Sequence, residues 1–133
     1  MNKRTLPENH RRSISSSVYV IEKMVNDIER VLTHPESGIL IKTINDVKDI
    51  DVEHYRITIS NIRNEIKRIT EKYNLKGEEI PLSRIINSRK AKIWETITDT
   101  TSRKMKGYSE FPKDLSAEFD EDIASFKKVL DTL

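Results

Sequence analysis

The sequence predicts an all-α protein, an antiparallel up-and-down four-helix bundle with long central helices 2 and 3. Four segments carry apolar residues at alternating spacings of three and four, the mark of one buried helix face. Only three Gly and four Pro occur in 133 residues, too few turn formers for a sheet of many strands. Apolar and charged residues each make up 35%, the balance of amphipathic helices with solvated outer faces. Isoleucine is abundant and suits strands, but here it falls at helical spacing and not in alternation, so the pattern outweighs the propensity.

A chain of this length is expected to form one domain, 1–133, because it can bury one core but rarely two. Residues 1–12 are either flexible or an extension of helix 1: Thr5, Pro7 and Glu8 resemble a helix start, and Ser13 offers a second one. From there Ile14, Val18, Ile21, Val25, Ile28 and Leu32 form a seam like that of a bundle.

His34, Pro35, Glu36, Ser37 and Gly38 make a short breaker. Helix 2 is then expected from Gly38 to Asn74, with Leu40, Ile44, Val47, Tyr55, Ile59, Ile62, Ile66, Ile69 and Tyr73 on one broad face, over roughly 55 Å. So short a link returns helix 2 along helix 1, placing Ile28 near Thr43, Ile21 near Ile50 and Ile14 near Ile57. Lys48 and Asp51 fall on or beside the apolar face and read as a polar layer or a kink. Reflection about the second turn sets Asp51 opposite Lys104, an expected structural polar pair.

A second breaker spans Asn74 to Ile80. Pro81 suits the first turn of helix 3, which is expected to run to about Lys106, with Leu82, Ile86, Ile93, Ile97 and Thr100 inward and Trp94 on the flank. Gly107 is a natural stop, and Arg103, Lys104 and Lys106 suit the negative end of the helix dipole. After a loop from Tyr108 to Lys113, helix 4 carries Leu115, Phe119, Ile123, Phe126 and Leu130.

If helices 2 and 3 exceed helices 1 and 4, their shared end is left as an uncovered tip. Ile66, Ile69, Tyr73, Leu82, Ile85 and Ile86 would be partly exposed there, and Ile66, Ile69, Tyr73, Leu82 and Ile86 are the candidate interaction residues for a second subunit or a helical protein partner.

Catalytic and metal chemistry find little support. Asp51 and His54 are spaced three apart, as in one half of a bundle metal site, but the paired Glu-x-x-His motifs of a di-iron carboxylate bundle are missing and there are three His in all. His34 with Glu36 reads as a cap. His54 as a phosphoacceptor lacks a suitable context in Tyr55, Arg56, Ile57 and Thr58. There is no Gly-rich phosphate loop and no nucleophile beside a base. The expectation is therefore no catalytic residue, no metal and no cofactor. Trp94, Asp99, Thr100, Ser102, Met105, Gly107 and Tyr108 form a dense group that reads first as core packing and a helix stop, with a recognition patch as the alternative.

Charge is the sharper signal. Between Arg63 and Lys92 nine basic residues face four acidic ones, although the whole chain carries only +2. Arg11, Arg12, Arg63, Lys67, Arg68, Arg84, Arg89 and Lys90 are the candidate cations of a basic pole for an anionic partner, with weak nucleic-acid binding as one consequence. No groove-reading helix or aromatic stacking platform accompanies them.

The absence of Cys, of an apolar leader and of any run near the roughly 20 residues that span a bilayer leads to the expectation of a cytoplasmic protein without membrane contact. In function, a non-enzymatic interaction or assembly module that self-associates ranks first. A nucleic-acid-binding accessory protein comes second, and an enzyme completed by a partner or metal third.

Overall fold

The computed structural model describes residues 5–133; the expectations placed on Met1–Arg4 and on the Lys106 side chain lie outside the described residues. Among the described residues the regular structure is helical, with α1 (Glu8–Thr33), α2 (Asp49–Lys72), α3 (Leu82–Thr98) and α4 (Lys113–Leu130), and a 3₁₀ turn at Lys104–Gly107. Among the described residues, the only β pairing is an isolated antiparallel bridge between Ser37 and Lys42. The chain divides into two compact units, Met1–Glu78 and Glu79–Leu133. α1 packs on α2 in the first and α3 on α4 in the second.

In the first unit, α1 begins one residue after Pro7, whose carbonyl accepts the Arg11 N–H at 3.0 Å. Pro cannot donate, so it sits where no intrahelical N–H is needed, and Glu8 supplies the negative charge favoured in a first turn. Ser13 is simply interior. Of the α1 stripe, Val25 is buried and Ile14, Val18 and Leu32 are half-buried, while Ile21 and Ile28 are exposed. One neighbouring helix therefore covers only part of a stripe wide enough for two.

The expected helix over Gly38–Asn74 is corrected. Residues 34–48 form a connector, and α2 starts only at Asp49. Several local bonds compete with the helix here. The Gly38 N–H donates to the Ile41 carbonyl at 2.7 Å, the Thr43 hydroxyl donates to the Glu36 carbonyl, and the Asn45 side-chain oxygen accepts from the Val47 N–H at 3.1 Å. Such side-chain bonds give the backbone an alternative to the helical ladder. Lys48 and Asp51 are thus a helix start and not a buried polar layer: Lys48 occupies the cap position, and Asp49 and Asp51 supply first-turn charge.

A longer connector shifts the register of the pair. Ile21 shares its surroundings with Ile62, Ile66 and Ile69 instead of Ile50, and Arg63 reaches Asn26 and Glu29. α2 ends where Asn74 adopts φ 50°, with the Leu75 N–H bonded to the Thr70 carbonyl at 3.0 Å and the Asn74 N–H to the Glu71 carbonyl at 3.4 Å. This is a Schellman termination with Asn in the left-handed position. Leu75, next in the chain, is buried.

In the second unit, α3 ends at Thr98, short of the expected Lys106. The hydroxyls of Thr96 and Thr100 donate back to the carbonyls of Lys92 and Thr96, each at 2.8 Å. Back-bonding of this kind weakens a helix already crowded with β-branched residues. α4 starts at Lys113, directly after Pro112 and one residue inside the expected Tyr108–Lys113 loop, and Phe111 packs on Phe119 with ring centroids 5.0 Å apart.

Helix lengths differ from expectation as well. α1 has 26 residues, α2 24, α3 17 and α4 18, so α2 and α3 are not the long central pair. The uncovered tip argued from their excess length loses that premise.

Candidate interaction surface

Among the described residues, the buried apolar side chains are Val25, Ile59, Leu75 and Ile97, and none of them is fully enclosed. A helix packed on a single neighbour has only one covered face, so each unit keeps apolar residues at its surface. In the first unit the exposed ones are organised. On α1, Ile21, Met24, Ile28 and Val31 are all exposed and follow the 3-4-3 spacing of a coiled-coil seam. Rotation of about 100° per residue puts them on the flank of the stripe that faces α2. Where α2 meets this flank, Val18 and Ile21 with Ile62, Ile66 and Ile69 line a shallow groove of about 340 Å³, edged by Thr58, Asn61 and Glu65.

The second apolar feature is the connector. Its tip displays Ile39, 100% exposed, and Leu40, 96% exposed, with Ile41 and Ile44 also at the surface. Gly38 and the Ser37–Lys42 bridge hold the turn. Reading the sequence by helical period hid this loop, because Leu40, Ile44 and Val47 continue the spacing of α2. The signal that could have found it is the cluster of β-branched residues between Pro35–Gly38 and Asn45–Asp46, two groups of turn formers.

Of the candidate interaction residues, Ile66 and Ile69 line the groove, Tyr73 is half-buried at the end of α2, and Leu82 and Ile86 are exposed on α3. The candidate pair Asp51 and Lys104 is split between the units. Asp51 is exposed in the first turn of α2, and Lys104 Nζ stands 4.0 Å from Asp99. Trp94 and Tyr108 are at the surface, which corrects their assignment to the core; of that group Ser102 is the buried member.

The candidate cations divide in the same way, Arg11, Arg12, Arg63, Lys67 and Arg68 in the first unit and Arg84, Arg89 and Lys90 in the second. Three have carboxylate partners. Arg12 meets Glu8 at 3.0 Å, Arg68 meets Glu65 at 2.8 Å, and Arg63 forms a two-pronged pair with Glu29 at 2.7 and 3.0 Å while also donating to Asn26. The hydrogen bond with Arg63 holds the Glu29 carboxyl below its ordinary range and raises Arg63 in turn. The hydrogen bond that Arg68 donates to Glu65 likewise raises Arg68. Arg11 is half-buried with its Nε enclosed. Among the described residues Lys67, Arg84, Arg89 and Lys90 make no ion pair.

Asp51 and His54 are exposed on α2, and among the described residues no three His, Asp or Glu side chains gather as a metal site. No helix of the described residues is long and apolar enough to cross a membrane. Neither known protein families, nor characterised proteins, nor solved structures give a significant match to this chain.

Proposed function

We propose that this chain is a non-enzymatic helical interaction module that assembles with further copies of itself. The observation that supports this most is the open apolar flank of the first unit, where the groove and the Ile21–Val31 seam together exceed the scattered apolar side chains of an ordinary monomer surface. Covering even one such side chain contributes about 1.5–3 kcal/mol, a large share of the stability of a small domain. On this reading α1 and α2 run antiparallel, supported by Arg63 facing Asn26 and Glu29 while Ile66 and Ile69 face Val18 and Ile21.

The test is the mass of the particle in solution. Sedimentation at micromolar concentration should give a multiple of 15.6 kDa. The double substitution Met24→Glu with Ile28→Glu, on the exposed seam, should lower the mass to that of one chain while far-ultraviolet dichroism keeps its helical signal. A monomeric wild-type particle would reject the reading and favour the single-chain antiparallel four-helix bundle expected from the sequence, in which the same faces are covered within one chain.

A nucleic-acid-binding role is the second reading, carried by Lys67, Arg84, Arg89 and Lys90, exposed or half-buried cations that have no carboxylate partner among the described residues. It ranks lower because Arg12, Arg63 and Arg68 are already neutralised by neighbouring carboxylates.

A further inference from the structure

The self-association reading does not say which surfaces meet. Resting on that reading, we propose that the connector tip, Ile39 and Leu40 with Ile41 and Ile44 behind them, seats in the α1–α2 groove of a second copy. Both halves of the contact are present on one chain: an apolar projection held in a tight turn, and an apolar depression lined by Val18, Ile21, Ile62, Ile66 and Ile69.

The chain does not use its own groove for its own tip, since Ile39 is fully exposed. The groove also lies about halfway along α1 (Glu8–Thr33), with Ile21 about 18 Å from Thr33 at a rise of about 1.5 Å per residue. A two-fold pair with the two copies side by side and antiparallel brings each tip to the other copy's groove, and closes the assembly because the same contact is made twice. Between tip and groove the exposed seam Ile21, Met24, Ile28 and Val31 lies along the same flank and is covered in the same step. Four connector side chains alone fall short of the roughly 800 Å² that each partner contributes to a standard interface, whereas tip, seam and groove together approach it.

A two-part experiment tests this. Ile39→Ser with Leu40→Ser removes the projection without touching either packed helix face. It should weaken self-association by more than about tenfold, about 1.4 kcal/mol, with helicity unchanged. The chain has no Cys, so single-cysteine variants report without background. Leu40→Cys protein mixed with Ile21→Cys protein should oxidise to mixed dimers in preference to dimers of either variant alone. A particle that stays associated after the serine substitutions and yields no mixed disulfide overturns the inference while leaving self-association standing. Preferential Leu40→Cys homodimers would show tip-to-tip pairing and overturn it as well. A wild-type monomer would remove both the inference and the reading it rests on.

Discussion

Ser102 gives both its backbone N–H and its hydroxyl to the one carboxylate of Asp120, at 2.9 and 2.7 Å. The serine is buried, so the bond joins the segment after α3 to the middle of α4 at a point where little else in the second unit is covered. Ser102→Ala deletes the hydroxyl and leaves one carboxylate oxygen to water. It should lower stability by about 1 kcal/mol, read as a fall in the thermal midpoint. An unchanged midpoint would show that the backbone N–H alone holds the pair.

The same pair makes the second unit sensitive to acid. The Ser102 backbone N–H, and next its hydroxyl, hold Asp120 below its ordinary value against an opposing push from desolvation. A carboxylate depressed in the folded state contributes stability that is present above its unfolded pKa and lost as pH falls through its folded pKa. Stability should therefore decline from roughly pH 4 downward, where aspartate begins to protonate. Asp120→Asn should flatten that decline. Thermal melts from pH 7 to pH 2 check it, and a decline of equal depth in the variant would assign the acid sensitivity elsewhere. Glu29, lowered chiefly by its hydrogen bond with Arg63, contributes with the same sign in the first unit.

Asn74 allows a backbone prediction. Its φ of 50° lies in the left-handed region that Gly and Asn tolerate and β-branched residues do not. Asn74→Gly should be neutral to within about 0.5 kcal/mol, whereas Asn74→Val should cost about 1–2 kcal/mol. Chemical denaturation of the two variants should separate them in that order. Equal midpoints would mean that the termination of α2 gives way without cost.

The helices were legible in the sequence where apolar period and punctuation agreed. Pro7, Pro81 and Pro112 each precede the first helical residue of an element, and the stripes from Ile14 and from Leu115 predicted α1 and α4. The failures came where period and local chemistry disagreed. Leu40, Ile44 and Val47 kept the helical spacing, but Gly38, Thr43 and Asn45 supplied turn bonds that won. The Thr-rich end of α3 did the same through back-bonding. The Ser102–Asp120 pair was not legible, because a tertiary bond between α4 and the segment after α3 leaves no periodic trace. Neither was the exposed flank of α1: a stripe from Ile14 to Leu32 shows how much apolar face exists, not how much of it one neighbour covers.

The last prediction concerns the basic residues. Arg12, Arg63 and Arg68 would have to exchange Glu8, Glu29 and Glu65 for phosphate, so they add little to any gain from counterion release. Lys67, Arg84, Arg89 and Lys90 have no such partner among the described residues and carry whatever binding there is. We expect weak, sequence-independent retention of duplex DNA or RNA at low salt, because no stacking platform or groove-reading helix accompanies these cations. Arg84→Glu with Arg89→Glu should reduce the dependence of log affinity on log salt by about one unit for each phosphate contact removed. Arg63→Glu should leave that slope unchanged while disrupting the contact with Glu29. Titrations by fluorescence anisotropy across salt concentrations check both. Submicromolar, sequence-selective binding at about 150 mM salt, where exposed charges are screened beyond about 8 Å, would place nucleic-acid recognition ahead of self-assembly.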